Sequence, residues 1–291
     1  MPGLSGKGRY LSGMLNETPR RSTIRLTPRG RIALIATGAV VAATAVAVPL
    51  TLSGDDGGRP KALTIPEGWR SGQVYEAVDK ALGVAPGTTR KAVPKAGLKL
   101  PGDAGGNPEG YLFPATYPLN DKSTPTTLLS YMVNTANKKF QAAKTTAGAD
   151  LNAVNLYQTV TIASIVEAEA DNVADMGKVA RVIYNRLDHG MPLQMDSTLN
   201  YALGRSTVRT SAKDTKKDNP YNTYTRMGLP PSPIGNPGEQ AMKAAEHPTP
   251  GNWLYFVTVK PGDTRFTADF AEHQRNVAEF NKNHAAAKAS S

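Results

Sequence analysis

Glu167 stands in the run Thr161 to Ala170, TIASIVEAEA, where a carboxyl group is set among small and β-branched apolar residues on what reads as a largely buried helix. Burying an unpaired carboxylate is costly, so such a group is expected to have a raised pKa or a partner. A raised pKa is what a general acid requires, and Val160, Ala163 and Ala170 on the same stripe would supply the apolar surround. Glu169 lies two positions on, about 200° around a helix turning ~100° per residue, so the two side chains face opposite ways and one of them serves a given cleft.

Two polar sets follow. Gln194, Asp196, Ser197, Thr198, Asn200 and Tyr201 lie in PLQMDSTLNYALG, just after a helix end, where loops frequently carry binding groups. Asn219, Tyr221, Asn222, Thr223 and Tyr224 precede GLPPSPIGNPG, residues 228–238, whose prolines and glycines fix a loop in one shape. Amide and phenol groups there suit the hydroxyls and N-acetyl groups of a glycan. That these residues only satisfy backbone groups in a long connection is the open alternative.

The elements that must position these groups are legible from periodicity. Ala62 to Ile65 alternates as a short strand, Pro66-Glu67-Gly68 turns the chain, and a helix from about Ser71 ends at Gly83. Glu109 to Tyr117 is rich in aromatic residues and suggests a strand, limited to an edge by Pro114. Thr124-Pro125 opens a long helix with a stripe of Leu128, Leu129, Met132, Val133, Ala136 and Phe140. The helix from about Leu156 to Ala170 is apolar nearly all round, and another runs from about Val173 to His189 and stops at Gly190. Gly238 to His247 is short and helical, Trp253 to Val259 is a buried strand, and Pro261-Gly262-Asp263 turns into a second strand at Phe266. A helix from Phe270 to Phe280 closes the domain before an Ala/Lys/Ser tail. The fold class expected is α+β.

The net charge of +10 invites a nucleic-acid reading, but residues 1–31 hold seven basic residues against one acid, and the remaining 260 carry only +4. No later basic cluster with interleaved aromatics tracks phosphates, so no nucleic acid is expected. Absence of cysteine removes disulfides and thiolate nucleophiles, and His189, His247, His273 and His284 lack close ligand spacing, so neither metal nor cofactor is expected. Ile32 to Leu52 carries no charge over 21 residues, long enough to cross a hydrocarbon core of ~30 Å. Arginines before it and Asp55 and Asp56 after it place the N-terminus in the cytoplasm and the rest outside, a single-pass anchor in the cytoplasmic membrane. A cleaved signal peptide is the alternative, against which stand the long basic region and the length of the apolar run. The expected organisation is a disordered basic tail at 1–31, a transmembrane helix at 32–52, a linker at 53–60, a small strand-helix module at 61–100, a mixed helix/strand catalytic domain at 101–282 and a disordered tail at 283–291.

The motifs EGYLFPATY (109–117), ASIVEAE (163–169), VIYNRLDHGMPLQMDSTLNYALG (182–204), YNTYTRMGLPPSPIGNPG (221–238) and LYFV (254–257), in this order, resemble the YceG-like family, the MltG-type endolytic murein transglycosylases. The resemblance implies a LysM-like module ahead of the catalytic domain. It also implies cleavage within nascent peptidoglycan strands at the MurNAc–GlcNAc β-1,4 bond, leaving a 1,6-anhydro-MurNAc end. The family's catalytic glutamate, the first in its IVE-x-E motif, falls on Glu167, and Glu169 matches the second acid. Gln194, Asn222 and Tyr224 become candidates for holding the glycan, and Asp196 either orients Glu167 or caps a turn. Glycan strands and the membrane are the expected partners, with glycan-polymerising penicillin-binding proteins where an enzyme works on nascent strands. Two alternatives remain: a muramidase using water with Asp196 or Glu109 as second carboxylate, and a wall-binding scaffold without activity.

Overall fold

The computed structural model describes residues 62–146, 154–205, 211 and 213–289. The basic tail, the apolar run 32–52 and the linker 53–60 lie outside the described residues. Among the described residues no helix is long and apolar enough to cross a membrane.

The architecture is mixed α+β, with helices between two small antiparallel ribbons. Strand β1 (Ala62–Thr64) pairs with β2 (Thr116–Pro118), Leu63 opposite Tyr117. Helix α1 (Ser71–Leu82) follows the turn at Glu67-Gly68 and ends at Gly83, whose φ of 65° suits a residue without Cβ. A short helix α2 (Thr88–Ala92) packs on it. The expected module at 61–100 is not closed on itself. Its strand finds a partner only at residues 116–118, and Leu63, Ile65, Val74 and Val78 belong to the same buried cluster as the later helices.

Strand character at Glu109 to Tyr117 is confined to its end. Residues 109–111 turn instead, with Gly110 at φ 85°, where a Cβ would lie 2.6 Å from the Pro233 side chain. Helix α3 (Pro125–Thr146) buries the stripe read from its sequence, Leu128 through Phe140.

Helix α4 (Leu156–Glu169) starts at a reciprocal cap in which Asn155 accepts from the Gln158 N–H and Gln158 accepts from the Asn155 N–H. Val160, Ile162, Ala163, Ile165 and Val166 are all fully buried, as an apolar-all-round helix must be. Helix α5 (Val173–Asp188) is capped by Asn172, which accepts from the Asp175 N–H. Residues 196–202, expected as loop, form helix α6 (Asp196–Ala202), with Leu199 buried beneath its polar face.

Helix α7 (Glu239–Glu246) packs against α4 and α5. Strands β3 (Tyr255–Lys260) and β4 (Asp263–Thr267) form a hairpin about Gly262, Tyr255 opposite Thr267. Helix α8 (Phe270–Ala289) covers it through a second small cluster of Val257, Val259 and Val277. This helix runs well past Phe280, through most of the expected tail. The run Ala285-Ala286-Ala287-Lys288-Ala289 combines strong helix formers and so prolongs it.

Candidate active site

Glu167 lies in the last turn of α4 and is half-buried. Its Oε2 accepts from the Gly238 N–H at 3.1 Å, at the N-terminus of α7. Burial pushes its carboxyl up to about 7, the Gly238 hydrogen bond pulls it back, and the Glu67 carboxylate adds to the rise. A carboxyl that changes charge near neutrality can both give and take a proton there.

The loop that brings Gly238 to the acid is locked to α4. The Ile234 N–H donates to Ser164 Oγ at 3.0 Å, one turn before Glu167, and the Tyr157 hydroxyl donates to the Pro231 carbonyl. Asn236 ties the same loop to two further segments. It accepts from the Leu112 N–H, and its backbone and side-chain N–H groups donate to the Trp69 carbonyl. The Gly68 N–H completes the seam on the Asn236 carbonyl at 2.8 Å. Four stretches distant in sequence, at 67–69, 112, 157–167 and 231–238, thereby converge on one carboxyl group.

Glu169 turns the other way, as its position on the helix requires. Its Oε1 accepts from the Ser197 N–H at 3.0 Å, fastening α4 to the first turn of α6. Buried and bonded in this way, the second acid joins two helices, which suits a structural role.

The structure brings Gln194, Asp196 and Tyr224 together. The Gln194 N–H donates to the Thr223 carbonyl, the Met195 N–H to Thr223 Oγ1, and the Tyr224 hydroxyl to Asp196 Oδ1 at 2.5 Å. Gln194 holds φ at 53°, the one non-glycine in the left-handed region among the described residues, a strain of the kind found where a side chain must be presented. Asn222 is different. It is 0% exposed, its amide donates to the Thr215 and Lys217 carbonyls, and its Oδ1 accepts from the Tyr224 N–H. It shapes the loop from within and leaves no exposed surface of its own side chain for a ligand.

Asp196, as a second carboxylate for hydrolysis, is engaged by Tyr224. Glu109 is likewise occupied: buried, it accepts from the Ser71 N–H and the Tyr201 hydroxyl and so holds the N-terminus of α1. Burial raises its carboxyl pKa, and those two hydrogen bonds and the Arg70 guanidinium oppose the rise.

Two residues escaped the sequence reading. Arg186 on α5 is 2% exposed and donates to the Leu254, Pro192 and Leu193 carbonyls and to Gln194 Oε1, so it sets the hairpin and the Gln194 side chain in one frame. Nothing in an amphipathic pattern separates such an arginine from a solvated one. Glu67 is the other. It sits in a Pro-Glu-Gly turn, where an acid is unremarked, and its charge acts on Glu167.

A Bacillus subtilis protein named endolytic murein transglycosylase is 42% identical over 168 residues, 57% of this chain and 46% of that protein. A Streptococcus pneumoniae protein of the same name is 37% identical over 177 residues, 59% of this chain and 32% of that one. The matched stretch thus spans less than half of either relative. The crystal structure of a YceG-like protein from Listeria monocytogenes superposes with a TM-score of 0.63 at 30% identity, covering 75% of this chain and 76% of that one. The family model described as YceG-like matches residues 42–279, most of the chain and every segment that converges on Glu167, and the chain belongs to the YceG-like family.

Proposed function

We propose that this chain is an endolytic peptidoglycan transglycosylase, anchored in the cytoplasmic membrane by residues 32–52, with its folded part outside. The observation that carries the reading is Glu167, a half-buried carboxyl raised to about 7 and steadied by the Gly238 N–H. The Bacillus and Streptococcus relatives, both named endolytic murein transglycosylase, support the same chemistry.

In this mechanism Glu167 enters protonated and donates its proton to the glycosidic oxygen between MurNAc and GlcNAc as that bond breaks. The resulting carboxylate takes the proton of the MurNAc C6 hydroxyl while the C6 oxygen attacks C1. The 1,6-anhydro ring closes, no water is consumed, and Glu167 is again protonated. One carboxyl with a pKa near the working pH can serve both steps. Gln194 and Tyr224, held by Arg186 and Asp196, would hold the glycan, and the substrate's N-acetyl group would steady the positive charge at C1. Cutting nascent strands would end their elongation and place the chain beside glycan-polymerising penicillin-binding proteins. The segment 62–100 would act as the LysM-like part, adding glycan contacts beside the cleft.

Mass spectrometry of fragments released from uncrosslinked glycan strands by the full-length chain in mild detergent tests the reading. Products one water lighter than a reducing sugar, lost in Glu167→Gln, are expected. Reducing ends would instead assign a muramidase that uses water, and binding without products a scaffold.

A further inference from the structure

The turn at Glu67 and the loop before α7 are pressed together. A Cβ on Gly235 would lie 2.8 Å from the Gly68 carbonyl oxygen, and one on Gly238 would lie 1.9 Å from Glu67 Oε1. A Cβ on Gly68 would come within 3.5 Å of Glu167 Cγ. The exposed Glu67 side chain therefore lies against Gly238, the same residue whose N–H holds Glu167, and backbone hydrogen bonds between Gly68 and Asn236 and between Asn236 and Trp69 fix it there.

We propose that Glu67 is a positioning residue for Glu167: its carboxylate, seated on Gly238 beside the acid, adds to burial in keeping Glu167 protonated and so extends upward the pH range over which the site donates a proton. A like charge nearby disfavours ionisation, and Glu67 is the charged neighbour that raises Glu167. Most other charged groups on the elements packed around α4 are engaged elsewhere, and Glu246, whose carboxyl is raised by burial, sits at the far end of α7 from Gly238. Glu169 on α4 faces Ser197, Asp196 on α6 takes the Tyr224 hydroxyl, and Asp175 on α5 pairs with Lys178. Glu239 in the first turn of α7 is exposed and paired with Lys139 of α3 at 2.6 Å. The segment that reads as an accessory module thus contributes to the acid's charge state. The inference rests on the reading of Glu167 as the proton donor.

The test is the pH dependence of kcat/KM for glycan cleavage by the full-length chain and its Glu67→Gln, Glu67→Asp and Gly238→Ala variants, each checked for its melting temperature. The alkaline limb reports the ionisation of the essential acid in the free enzyme. In Glu67→Gln that limb should move down by about half a pH unit, about a threefold loss on the alkaline side, with the loss confined to that side. Glu67→Asp restores part of the shift. Gly238→Ala, whose φ of −79° accepts alanine, displaces the flexible end of Glu67 and moves the limb the same way without deleting the charge. Because Glu67 is exposed, the shift shrinks as salt is raised from about 0.05 to about 0.5 M. A limb left in place by Glu67→Gln, or a loss equal at all pH values, overturns the inference while leaving Glu167 as the acid. Undiminished turnover in Glu167→Gln overturns both.

Discussion

Replacing Glu167 by glutamine should stabilise the protein while removing its chemistry. The amide oxygen of Gln can still accept from the Gly238 N–H, so the variant imitates the protonated acid in shape and bonding. In the native chain the carboxyl is raised from 4.5 to about 7, so between those values the unfolded chain ionises while the folded one keeps its proton. The folded state then binds more protons than the unfolded, and stability falls as pH rises through this window. A gap of about 2.5 at about 1.4 kcal/mol per pH unit gives roughly 3 kcal/mol, and partial access of water reduces this to about 2 kcal/mol. Glu167→Gln should therefore gain about 2 kcal/mol in urea unfolding at pH 8 and nothing at pH 4, with turnover lost at both. A gain equal at both pH values, or no gain at pH 8, would refute the argument that burial holds the proton.

Gly110→Ala should cost about 3 kcal/mol, because it adds a Cβ at φ 85° and drives it to 2.6 Å from Pro233, and thermal melting reads the loss. Asn222→Ala leaves the Thr215 and Lys217 carbonyls without their donors and should cost about 2–3 kcal/mol in urea unfolding. Tyr224→Phe removes the hydroxyl donated to Asp196, should cost about 1–2 kcal/mol, and should lower kcat/KM several-fold in the glycan-release assay. Glu246→Gln should also gain stability above neutrality, since burial raises that carboxyl to about 7 and its Oε1 has no partner. Its melting temperature should rise at pH 8 but not at pH 4, while turnover is unchanged.

The helices with a clean apolar stripe were legible because burial writes itself into a 3.6-residue period, as in Leu128 through Phe140 or the all-apolar α4. The burial of Glu167 was legible for the same reason, since a carboxyl inside such a run is carried into the interior with it. What escaped were features set by contacts distant in sequence. Gly110 turns where aromatic neighbours suggested a strand, because Pro233 lies against it. Asn222 has the same polar character as Tyr224 two positions on in the loop, yet it is wholly inside, with its amide on the carbonyls of Thr215 and Lys217. Helix α6 is seven residues long, too short for periodicity to separate it from a polar loop. Glu67 lies a hundred residues from Glu167, and no local pattern joins a turn acid to a helix acid. That Leu63, Ile65, Val74 and Val78 share one buried cluster with the later helices is likewise set by packing across residue 100, which no local pattern shows.

Glu167 keeps its proton near neutrality chiefly because the fold buries it. The most direct measurement is the titration of its carboxyl carbon by 13C NMR in the full-length chain, assigned by the signal lost in Glu167→Gln. The midpoint should lie close to 7. A midpoint at the ordinary glutamate value of about 4.3 would contradict it.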